Sequence, residues 1–120
     1  MKDLIQKSVV RNILADYYTA LETTLYSIKT SYEKHLDNIS LPQKEVIVDR
    51  MCSYFQVLQK TKQYIKQIDK LMEKEDRNEV FRLCKLIIHL NQFIKEDSKE
   101  LSFYIKTGTF PQTTEKDTLH

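Results

Sequence analysis

Residues 47–72 read IVDRMCSYFQVLQKTKQYIKQIDKLM, and this stretch decides the fold. Ile47, Met51, Tyr54, Leu58, Thr61, Ile65, Ile68 and Met72 recur in steps of four and three. A strand would need a period of two; steps of four and three form the seam of a helix packed against other helices. Just upstream, Ser40-Leu41-Pro42-Gln43 has the capping-box pattern, with a proline tolerated in the first turn. Downstream, Glu73-Lys74-Glu75-Asp76 has no apolar residue and marks a turn. A helix is therefore expected over roughly 41–74.

The same period runs on both sides. Val10, Leu14, Tyr17, Leu21, Leu25, Ile28, Tyr32, Leu36 and Ile39 form one stripe, which predicts a first helix from about Asp3 to Leu36. Asp76 and Glu79 open a third helix, whose seam is Val80, Cys84, Ile87, Ile94, Leu101 and Ile105, with Asn91 and Ser98 as polar members. Gly108 suits its C-terminal cap. Short connections make neighbouring helices antiparallel, so the expectation is an all-α, up-down-up antiparallel bundle of three long helices, each about 45 Å in length. The alternative is four helices with a break near Asp97-Ser98. The bundle domain is expected over residues 1–106. Residues 107–120, with Pro111 and no periodicity, are expected to form a flexible polar C-terminal tail.

Composition narrows the function classes. The 120 residues include one Gly, two Pro and no Trp. One glycine leaves no Gly-rich phosphate cradle, and so few turn residues argue against a β-rich fold. No long apolar run predicts a membrane span, and the opening residues carry no export signal, so a cytoplasmic setting is expected. Two Cys are no disulfide framework, and Cys52 and Cys84 are expected to lie in the core, far apart in height. Tyr17, Tyr32 and Tyr54 are expected to be core rings with solvated hydroxyls. No Glu-x-x-His pair, HExxH or CxxC is present, so no metal or other cofactor is expected.

The net charge is only +2, but residues 40–74 alone carry +3. Lys62, Lys66, Lys70 and Lys74 form a stripe at every fourth position. Like charges so spaced repel weakly. The stripe is either a solvated face eased by Asp69 and Glu73 or a landing strip for an acidic partner or a nucleic acid.

Two apolar features exceed what a bundle uses. Between Val80 and Ile94 the third helix is apolar over roughly 240°, more than two neighbours easily cover. Ile5, Val9 and Ile13 form a stripe opposite the main seam at the start of the first helix. Both features fall at one end of an up-down-up bundle. Ile5, Val9, Ile13, Phe81 and Ile88 are therefore the candidate interface, unless Ile5 and its neighbours fold over Phe81 and Ile88 within the monomer. The opposite end is expected to carry no such surplus. The function so implied is a non-enzymatic interaction module, comparable in architecture to adaptors, small chaperones and immunity proteins. It would bind a second copy or a partner helix.

Arg82 and His89 carry a different reading. Six residues separate them, so they share one helix face. The pair resembles the Arg-x(4–6)-His signature of the HEPN superfamily, small all-α domains found in RNases and toxin–antitoxin pairs. The resemblance implies a metal-independent RNase or nucleotide-binding domain. His89 would then be the general acid or base, and Arg82 would stabilise the phosphate charge, at a dimer interface. The family often places a polar residue after its Arg, where this chain has Leu83.

Overall fold

The computed structural model describes residues 2–111, with the side chains of residues 7–111. Helix α1 spans Lys2–Lys34, a single 3-10 turn Leu36–Asn38 follows, and α2 (Leu41–Glu73) and α3 (Arg77–Thr107) complete the chain. All three helices pack on one another as an all-α three-helix bundle. Arg11 near the start of α1 pairs with Asp69 near the end of α2, and Arg50 in the first part of α2 pairs with Asp97 in the latter part of α3, so α1 and α3 run antiparallel to α2.

Helix boundaries follow local chemistry. The Ser40 hydroxyl accepts from the Gln43 amide while the Gln43 side chain accepts from the Ser40 N–H, which closes the capping box with Pro42 in the first turn. The Asp76 carboxylate accepts from the Glu79 amide at the start of α3. Between them Glu75 takes a left-handed φ of 59°, a conformation that costs a side-chain-bearing residue about 1 kcal/mol. Gly108 ends α3 at φ 81°. A Cβ there would also stand 2.9 Å from Nε2 of the Gln43 side chain, which donates to the Gly108 carbonyl. The first helix stops short of Leu36, which lies in the 3-10 turn and is partly exposed.

The core follows the seams. Leu14, Leu21 and Ile28 of α1 meet Ile47, Tyr54, Leu58, Thr61, Ile68 and Met72 of α2 and Ile87, Ile94, Leu101 and Ile105 of α3, all buried. Leu83, outside the expected seam, is also buried, while Val80 and Cys84 are half-buried beside it. Cys52, expected in the core, is instead exposed, because it sits one residue beyond Met51 on the outer side of α2.

The four-helix alternative is overturned, since α3 runs unbroken through Asp97 and Ser98. Both polar residues are satisfied in place. Buried Ser98 donates to the Lys95 carbonyl, and Asp97 accepts from Arg50 and Tyr54 of α2. Asn91, the other polar seam residue, donates to the Tyr17 carbonyl of α1 at 3.0 Å. After Gly108 the chain folds back: Phe110 stacks on Tyr104 at 4.2 Å and lies under the Arg50 guanidinium at 5.0 Å. Residues 112–120 of the expected tail lie outside the described residues.

Candidate functional site

Helix geometry places the candidate interface on one flank. Asn91 of α3 reaches Tyr17 of α1, and one turn below them stand Ile88 and Ile13. One further turn down α1 is Val9, and two turns below Ile88 is Phe81. The exposures of Val9, Ile13, Phe81 and Ile88 run from 44 to 62%, so the described residues leave each of them open to solvent over about half its surface. Ile5 lies in α1, but its side chain is outside the described residues.

At the bottom of this flank a cleft of about 330 Å³ opens where α1, the α2–α3 turn and α3 meet. Val10, Met72, Val80, Phe81 and Cys84 form its apolar lining. Its rim holds Lys7 and Arg77 beside Glu75 and Asp76, and Lys85 lies over the Phe81 ring at 4.7 Å. Burial pushes the Cys84 thiol pKa up, which keeps it a neutral apolar group.

Arg82 and His89 are both exposed on α3. The Glu79 carboxylate binds the Arg82 guanidinium and raises its pKa. The following Leu83 points into the core. Lys62, Lys66, Lys70 and Lys74 are exposed along α2, and none forms an ion pair within the described residues. Asp69, expected to ease them, is held by Arg11 of α1 at 2.8 Å. The lower part of the stripe reaches α3, where Lys70 and Lys74 share a shallow groove with Glu79 and Arg82.

Two features escaped the sequence. The upper half of the bundle, expected to lack surplus apolar surface, exposes Tyr26, Val48 and Phe55 around a groove between α1 and α2. The signal was present: Val48, Cys52 and Phe55 repeat the helical period one residue after the core seam. The second feature is the polar cluster of Arg50, Tyr54 and Asp97. Arg50 Nη1 donates to both Asp97 oxygens at 2.8 and 2.9 Å, and the Tyr54 hydroxyl donates to Asp97 Oδ2. Burial first, then the Asp97 carboxylate, raises the Tyr54 pKa well above its ordinary value. Burial opposes the Arg50 charge, but Asp97 outweighs it and raises that pKa too. Each group satisfies another and Phe110 lies against the guanidinium, so the cluster reads as an architectural clamp.

Among the described residues, no three His, Cys, Asp or Glu side chains are grouped to hold a metal ion, and no helix is long and apolar enough to cross a membrane. Compared with protein-family models, with curated proteins and with solved structures, the chain has no match in any of the three.

Proposed function

We propose that this chain is a helical protein-interaction module that pairs with a second copy of itself through the lower flank of α1 and α3. The observation that supports this reading is the continuous exposure of Val9, Ile13, Phe81 and Ile88 beside an apolar cleft. Isolated exposed apolar residues are ordinary, but a contiguous run rimmed by charge is typical of an interface. The rim suits self-pairing: a two-fold contact sets the same patch against itself, and Lys7 stands with Glu75 and Asp76 at the cleft while Lys85 lies over Phe81, so both signs are available to each copy. Burial of the apolar anchors would drive association, and the rim charges would set the register.

Amine cross-linking of mixed light- and heavy-isotope protein tests the location. Mixed-isotope links joining Lys7 to Lys85 are expected. They should vanish in the double variant Val9→Asp, Ile88→Asp. Links confined to a single isotope, or links that survive the double variant, would sink the reading.

A further inference from the structure

A second line of side chains on α2 changes character along its length. Val48, Cys52, Phe55, Gln59, Lys62 and Lys66 each stand one residue after a core position, turned about 100° away from the seam. All six are exposed. In its first half the line is apolar, and Tyr26 of α1, 68% exposed, extends it sideways. Leu25 and Met51 lie beneath, in a groove of about 610 Å³ between α1 and α2. In the second half the line is cationic at Lys62 and Lys66, beyond which it reaches Asp69, while Lys70 and Lys74 turn toward α3. These lysines have no carboxylate partner within the described residues, because Asp69 is committed to Arg11.

From Val48 to Lys66 the line spans about 27 Å, five helical turns. A nucleic acid would use the lysines and leave the groove empty. A uniformly apolar helix would fill the groove and bury unpaired ammonium groups, which costs free energy. The charge and apolar pattern fits a ligand divided in the same way. We infer that the outer α1–α2 face docks an amphipathic helix of a partner protein, with apolar anchors in one half and carboxylates in the other. The anchors would enter the groove beside Phe55, and the carboxylates would meet Lys62 and Lys66. This surface is separate from the lower α1–α3 flank and does not depend on it.

Two fluorescein-labelled helical peptides of about 21 residues serve as probes. They share leucine anchors in one half and carry either glutamates or lysines in the other. Fluorescence anisotropy with the full chain should show the glutamate peptide binding at least about tenfold more tightly than the lysine peptide. Raising the salt from about 50 to about 300 mM should erode that preference. Phe55→Asp should weaken the glutamate peptide about tenfold or more, and so should the pair Lys62→Glu, Lys66→Glu. Val48→Asp replaces Phe55→Asp if circular dichroism shows the latter unfolded. Val9→Asp with Ile88→Asp should leave this binding unchanged, so failure of the lower interface is read separately. Equal binding of both peptides, or of neither, would overturn the inference. It would also be overturned by tighter binding of a uridine oligonucleotide that the lysine pair abolishes and Phe55→Asp does not, which assigns the face to nucleic acid. A dimer that Phe55→Asp dissociates would overturn it as well, in favour of a second copy.

Discussion

Tyr54 shows how one residue can hold two helices in register. Its ring is buried in the α2 seam, and its hydroxyl donates to Asp97 of α3 instead of reaching solvent as expected. The neutral phenol is therefore favoured in the folded chain. The unfolded chain ionises near its ordinary value of 10.0, whereas the folded chain holds the proton to higher pH. The resulting stability is complete below about pH 10 and is lost as pH rises through the folded-state value. Urea unfolding should show stability falling between about pH 10 and pH 11, and Tyr54→Phe should make that fall shallower. At pH 8 the same substitution should cost about 1 kcal/mol, the net worth of one hydrogen bond. An unchanged alkaline slope in Tyr54→Phe would show that this phenol is not the group responsible. The ring's burial was legible from its seam position. Its partner was not, because spacing within α2 says nothing about which level of α3 lies opposite.

Among the elements, α3 is the informative case. Its seam keeps phase through Asn91, Asp97 and Ser98, and the helix is continuous because each polar side chain finds an acceptor or donor nearby. Asp97→Ala would leave Arg50 and the buried Tyr54 hydroxyl without their shared acceptor. Arg50 is partly exposed, so the cost should be about 2 kcal/mol in urea unfolding, less than for a fully buried pair. Helicity should persist, as judged by circular dichroism, since the register of α3 rests on Ile94, Leu101 and Ile105. Loss of helicity in proportion to about one turn or more beyond residue 97 would mean that the ion pair is what keeps α3 unbroken. Seams, caps and the glycine terminator were readable because each depends on spacing within a few residues. The Arg50–Asp97 clamp and the return of Phe110 onto Tyr104 depend on pairing between distant segments, which local periodicity does not encode.

For the whole molecule, three helices bury their main seams and leave apolar side chains uncovered, on the lower α1–α3 flank and around the upper α1–α2 groove among other places. The lower flank, with Val9, Ile13, Phe81 and Ile88, was legible from the wide apolar arc of α3 and the second stripe of α1. The upper groove, with Tyr26, Val48 and Phe55, was not legible from the helical period alone, because a small apolar Cys52 next to a seam residue fits core packing as well as an exposed stripe. The basic stripe gains meaning from that groove, since Lys62 and Lys66 continue the same helical line. Self-pairing through the lower flank is the central claim, and the absolute mass in solution by light scattering, across a concentration series, tests it most directly. The account predicts a rise from 14.3 kDa toward twice that value, reversed by Val9→Asp with Ile88→Asp. A mass that stays at 14.3 kDa at every concentration would contradict it.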